Sequence, residues 1–448
     1  MSQISLPTLL LVWPIAVCLL LMMRVWRGQR DTGLVLAYVA NLWLIHWIGP
    51  ALYLIPAHSG FDPETIRLGL EKSTVGLIGL ILGVAIAPLL LYPRESAVTS
   101  KASADWRLPR AYIVLGILSF PALAAARNIP SAASLLSSGY KLVVVGLVLS
   151  WLRAISIGDT RASAMWLVAT IGLPFITVVT MGFAGTGVAA TLGTLAFMSG
   201  FVRRRRLPAM LALLLLAYVG LSFFVTYMRD RSEIRASVWS GESYEDRLAV
   251  SRRMFENFEW FSTENRRHRE AVDVRLNQSL LVGMAASELE RNQYYANGYT
   301  IFRSVLALIP RVIWRDKPDD LTAGSGTLVA EYTGLVYDSS TSVGVGHVME
   351  LYINFATKGI AVGFFILGIV LATVDARAAR ALAENDLHGF TMWFLPGLCA
   401  LQVGGSMMEL TTSAAASVVV AKLTNLYLSR LRPFHSRRGG ATRRVESV

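Results

Sequence analysis

Apolar residues along this chain gather into long unbroken runs, not into the alternations expected of half-buried strands or one-faced helices. A helix crossing a bilayer needs about 20 mostly apolar residues, and eleven runs approach or meet that length. They cover residues 6–23, 33–55, 74–92, 111–126, 140–155, 163–181, 184–202, 207–227, 359–374, 388–407 and 413–428. The fourth is short and contains Pro121, the fifth opens near Lys141, and only Gly182 and Phe183 part the sixth from the seventh. The pattern predicts an all-α polytopic membrane protein of about 11 transmembrane helices. It divides into a membrane bundle over 1–227, a large loop domain over 228–358, further membrane helices over 359–428 and a basic tail over 429–448.

Composition agrees. The 448 residues are 54% hydrophobic and only 16% charged, with a mean hydropathy of +0.50. Soluble domains carry about 25% charged residues, so disorder, a disulfide-stapled secreted domain and an ordinary cytosolic enzyme are excluded. Both cysteines, Cys18 and Cys399, lie inside apolar runs, where a thiol is a small hydrophobe and offers no metal-ligand spacing.

The formal charge of +12 suggests nucleic acid until the cations are located. Alternate short loops carry Arg24, Arg27 and Arg30; Arg94, Lys101, Arg107 and Arg110; Arg153 and Arg161; Arg203 to Arg206; Arg377 and Arg380. The tail adds Arg430, Arg432, Arg437, Arg438, Arg443 and Arg444, whereas the intervening short loops hold only Arg67, Lys72 and Arg127. Positive residues mark the cytoplasmic side. An N-terminus outside and a C-terminus inside follow, with no need of nucleic acid. The first run is followed by its positive charges, so it reads as a first helix and not as a cleavable signal.

The long segment 228–358 breaks the pattern: it holds nearly half of the charged side chains, in near balance, and is placed on the outer face. Met254, Phe255, Phe258 and Phe261 recur at helical spacing, which fits either a helix lying on the membrane or one packed on the rest of the loop. Asn297-Gly298 marks a turn, and the apolar stretch 301–309 after it is too short to cross and ends at Pro310. Arg311, Arg315 and Lys317 then fall within seven positions around Trp314. Cations at an interfacial tryptophan suit a lipid-linked phosphate, while Asp316, Asp319 and Asp320 offer the competing reading of surface ion pairs.

A loop rich in Gly, Ser and Thr follows (322–346), without the spacing of a nucleotide loop. His347, Glu350 and Asn354 come next, at i, i+3 and i+7 of a helix, and polar groups at membrane depth are usually functional. The carboxylate suits a general base and the histidine an acid or hydrogen-bond donor; helix capping and packing is the structural alternative. Two such residues are too few for a metal. Lys141 near an outer helix end fits a snorkelling side chain, and Glu409 sits just outside the tenth span; contact with an outer-leaflet ligand is the alternative for either.

The order PRVIWRDKP, then the small-residue loop, then G-x-x-x-E-x-Y-x-N-F entering a span resembles the Wzy-type O-antigen polymerases and their relatives, the O-antigen ligases. The likeness is specific over 299–368. One departure is Ala356, where the family pattern expects glycine. The resemblance implies a GT-C-like glycosyltransferase that polymerises undecaprenyl-diphosphate-linked repeat units at the periplasmic face, for lipopolysaccharide biosynthesis, without cofactor or metal. Its partners would be the lipid-linked donor and acceptor, membrane lipids and a chain-length regulator. Glu350 would be the base with His347 assisting; Arg311, Arg315 and Lys317 would bind the diphosphate, with Arg291 and Arg303 next in line and Asn354, Trp314 and Asp316 in support. An O-antigen ligase, moving the glycan to lipid A-core, is the near alternative. A lipid-linked sugar flippase is the alternative from another class, expected to show inverted repeats and buried mid-membrane charge.

Overall fold

The computed structural model describes residues 4–26, 31–91, 107–126, 130–201, 206–309, 313–314, 316–318, 325–335 and 343–430. Among these residues the chain is all helical. The N-terminal part holds α1 (Leu6–Trp26), α2 (Leu34–His46), α3 (Ile48–Ala51), α4 (Pro63–Leu91), α5 (Arg107–Ala125), α6 (Pro130–Gly139) and α7 (Lys141–Ser156). Then come α8 (Thr160–Ile171), α9 (Leu173–Met181), α10 (Ala184–Ser199), α11 (Arg206–Trp239), α12 (Tyr244–Glu256), α13 (Arg266–Arg275) and α14 (Gln278–Asn292). The last are α15 (Tyr299–Ala307), α16 (Ser325–Thr333), α17 (His347–Ala383), α18 (Leu387–Gly397) and α19 (Met407–Arg430).

Among the described residues ten of the eleven apolar runs fall on a helix or a bent series of helices, and the tenth, 388–407, outlasts α18 and its 3-10 extension into the non-helical stretch 402–406. Among the described residues five helices are long and apolar enough to cross a membrane, or up to seven if each bent pair counts as one span. The protein therefore has the body of a helical membrane protein. The break between the sixth and seventh runs is real: α9 ends on Gly182 at φ +76°. The eighth run continues beyond residue 227 to Trp239 within α11, so the long polar segment begins inside a helix.

The aromatic cluster of that segment packs instead of lying free. Ser243 caps α12, accepting from the Asp246 amide at 3.2 Å, and the helix buries Val250 and Met254 beside Val178 and Ile234. Phe258 and Phe261 lie beyond its end, and Trp260 stacks on Tyr218 of α11 at 5.8 Å. Further on, Leu281, Val282, Ala285, Ala286 and Leu289 of α14 share the main core with α2 and α4.

The α4 helix is the post on which α14 and α17 lean. A methyl group on Gly69 would meet the Ser279 carbonyl, and one on Gly283 would meet the Thr65 carbonyl, so α4 and α14 touch backbone to backbone. Gly79 and Gly83 similarly face the Ala361 and Phe365 carbonyls, and Gly368 faces that of Leu80. Where lipid supplies no hydrophobic drive, small residues hold helices together by close contact.

The α17 helix is two limbs. Tyr38 lies 6.0 Å from His347 and 6.5 Å from Phe364, ring to ring. In a straight helix those two residues would stand about 25 Å apart. Leu351 likewise crowds Gly359 and Gly363. The chain therefore folds back at Phe355 (φ −142°, ψ 21°) and Ala356 (φ +53°, ψ −152°), so 347–354 runs antiparallel to 357–383. The departure from the family pattern thus sits on the turn itself, in a conformation nearly confined to glycine.

The start of the short limb meets a second interruption, 402–406, between α18 with its 3-10 extension and α19. The Gly346 amide donates to Gly404 O at 3.0 Å and that of His347 to Val403 O at 3.1 Å. Gln278 Nε2 reaches the carbonyls of both Gly344 and Gly404. Two helix breaks inside an apolar bundle satisfy one another.

Because Ala356 holds a left-handed conformation, Ala356→Gly should raise thermal stability in detergent, by about 1 kcal/mol, and Ala356→Val should lower it. A loss on Ala356→Gly of the size seen in an ordinary helix, about 1 kcal/mol, would contradict the turn.

Candidate functional site

Four segments close on a small open cleft lined by Thr300, Arg303, Ser325, Leu328, Glu350, Ser406 and Met408. The short limb of α17 supplies Glu350, α15 supplies Thr300 and Arg303, α16 supplies Ser325 and Leu328, and Ser406 and Met408 come from the head of α19. Asn297 (φ +48°) and Gly298 (φ +89°) make the turn into α15. The Gly298 amide donates to Asn354 Oδ1 at 2.9 Å, while Asn354 Nδ2 donates to Thr300 Oγ1 and to Glu350 O, each at 2.7 Å. Asn354 thereby ties α15 to the limb that carries Glu350.

Glu350 is 1% exposed. Its Oε2 accepts from the Met407 amide at 2.6 Å, which seats the carboxylate on the positive end of α19. Two charges act on it from across the cleft, the carboxylate of Glu409 and the guanidinium of Arg303. Arg303 lies over the Tyr299 ring at 5.6 Å, and among the described residues no carboxylate pairs with it. Glu409 accepts from Ser325 Oγ at 3.2 Å. It also closes a capping box with Ser406: the Glu409 amide donates to Ser406 Oγ at 3.1 Å, and the Ser406 amide donates to Glu409 Oε2 at 3.4 Å. The cleft thus joins a buried carboxylate, a cation with no carboxylate partner among the described residues, and a rim of hydroxyls.

The residues expected from the sequence are distributed unevenly around it. Glu350 and Arg303 line the cleft, and Asn354 braces it. His347 lies one turn back, fully buried, with Nδ1 2.9 Å from the Tyr38 hydroxyl and Nε2 without a partner. Lys317 is buried, and its Nζ donates to Ala307 O at 2.9 Å and Ile309 O at 3.1 Å. It holds the carbonyl end of α15, a use of lysine that favours the negative end of a helix. Arg291 is exposed beside Glu288 at 4.0 Å, Asp316 is exposed and Trp314 half-buried. Arg311 and Arg315 lie outside the described residues.

Thr300, Ser325 and Ser406 entered no sequence argument. The Ser406-x-x-Glu409 spacing was readable as a helix start; nothing in the sequence paired it with Glu350. Among the described residues no group of three or more His, Cys, Asp or Glu side chains is arranged to hold a metal.

A family described as "Domain of unknown function (DUF8712)" matches residues 73–413, which include all of the cleft. The chain belongs to that family. No curated protein and no solved structure matches it.

Ser406→Ala should lower stability by about 1 kcal/mol, the usual cost of losing a helix cap, with a similar loss for Glu409→Ala. A thermal midpoint unchanged in both variants would contradict the reciprocal cap.

Proposed function

We propose that the protein is a membrane glycosyltransferase that lengthens a glycan carried on a lipid diphosphate, with the cleft as its active site. The observation that carries this reading is a cleft that a buried carboxylate and a guanidinium line together, among hydroxyl-bearing walls. In this reading the acceptor sugar hydroxyl gives its proton to Glu350 as its oxygen bonds to the anomeric carbon. The bond from that carbon to the diphosphate breaks, the electron pair leaves with the diphosphate, and Arg303 balances the charge that develops there. Arg311 and Arg315 join as further diphosphate cations, while Lys317 serves α15. His347 holds the short limb against α2 instead of touching the sugar.

The finer expectations belong to this proposal: about 11 spans in a GT-C-like arrangement, an inner-membrane location, and the cleft facing the periplasm. The donor and acceptor are undecaprenyl-diphosphate-linked repeat units, and the product is a polysaccharide of O-antigen type. The alternation of Arg-rich loops supports the orientation, and the likeness over 299–368 to Wzy-type polymerases supports the reaction.

One observation favours a second reading. Paired helix interruptions within a bundle also occur in secondary transporters, where they form the substrate site, so a lipid-linked sugar flippase is the rival.

Purified protein in detergent should lengthen a synthetic diphosphate-linked repeat unit, read by mass spectrometry. Glu350→Gln and Arg303→Gln should each slow elongation by about a hundredfold or more. Wild-type rates in both folded variants would sink the assignment of the site. Protein that moves the lipid-linked sugar across vesicles without ever lengthening it would favour the flippase.

A further inference from the structure

Lys141 is a cation at the first position of α7, only 5% exposed. Its Nζ donates to Ser413 Oγ at 2.6 Å and lies 3.1 Å from Cys399 Sγ, with the Tyr140 ring 5.9 Å away. Among the described residues no carboxylate pairs with it. An ammonium buried in an apolar bundle is costly without a counter-charge. Ionisable groups at such depth usually mark a ligand path.

The surroundings connect it to the cleft. Ser406, Glu409, Ser413 and Ser417 follow one another at three- and four-residue steps, so they share a face of α19. Ser406 and Glu409 stand at the cleft end of that stripe. Ser413 holds Lys141 one turn further along, about 6 Å down the axis, and Ser417 Oγ contacts Cys399 Sγ at 3.1 Å. A polar stripe, with the Glu409 carboxylate in it, thus runs from the cleft end of α19 to Lys141.

We infer that Lys141 is a second anion-binding residue, which meets the diphosphate of a lipid ligand whose other side is held by Arg303. The inference rests on the proposed diphosphate-linked donor. Lysine suits the place: its long flexible stem lets the ammonium leave Ser413 for a phosphate oxygen, and its three donors serve as a compact point charge. A diphosphate, with two phosphates to share between two cations, is favoured over a monophosphate.

The test measures binding apart from turnover. Farnesyl diphosphate and farnesyl monophosphate are titrated into the detergent-solubilised full chain by calorimetry. Lys141→Gln should weaken the diphosphate by about tenfold or more and the monophosphate by less, and Lys141→Arg should restore most of the loss. Wild-type affinity for the diphosphate in folded Lys141→Gln overturns the inference. Should that variant fail to fold, a Cys18→Ser background leaves Cys399 as the single thiol, reported by methyl methanethiosulfonate. Farnesyl diphosphate should then slow its modification, and an unchanged rate overturns the inference. Binding that depends on Lys141 in protein that never lengthens a glycan would retain this site and reject the transferase.

Discussion

Two breaks in an apolar bundle each expose backbone groups that lipid cannot satisfy, and the architecture depends on their satisfying one another. Unpaired amides and carbonyls in such surroundings cost several kcal/mol each. Segments 343–347 and 402–406 answer that demand with the Gly346–Gly404 and His347–Val403 bonds and with the side chain of Gln278. The Met407 amide at the head of α19 finds the carboxylate of Glu350. The acid is therefore part of the solution to a backbone problem before it is available for chemistry. This explains how a carboxylate comes to be held at 1% exposure in so greasy a chain.

The apolar helices were legible in the sequence as long runs. Among the described residues five of them, or up to seven if each bent pair counts as one span, meet the length a bilayer asks; the polar helices of the long segment carry no such signal. The fold-back in α17 was not legible, since helix-forming residues continue on both sides of it. The one hint was Ala356, standing where the likeness to polymerases led one to expect glycine, and the backbone there takes a conformation glycine prefers. Glu350 and Asn354 were legible from their spacing on one helical face. His347 shares that face, yet its ring packs against Tyr38 and away from the cleft.

The cations were harder. Lys317 sits in a run of basic residues that looks made for phosphate, and its ammonium ends on two carbonyls of the helix before it. Arg303 sits alone in an apolar stretch and is the cation that lines the cleft. Charge spacing tells which residues are basic; it cannot tell which carbonyl, carboxylate or open space each side chain reaches. That depends on how α15 is set against α17, which Asn354 decides from more than fifty residues away.

The glycine seam along α4 has a mechanical consequence. Helices in backbone contact cannot slide past one another without collision, so α4, α14 and the long limb of α17 form a stator. Glu350 hangs from the short limb, which Tyr38 of α2 bridges to the stator by meeting both His347 and, on the long limb, Phe364, whereas Arg303 and Ser325 ride on two nine-residue helices. If one wall of the cleft yields to an entering chain, it is the one that bears the guanidinium. Widening the cleft then draws opposite charges apart, so the work of admitting a ligand is partly electrical, and an anionic guest lowers it as it arrives.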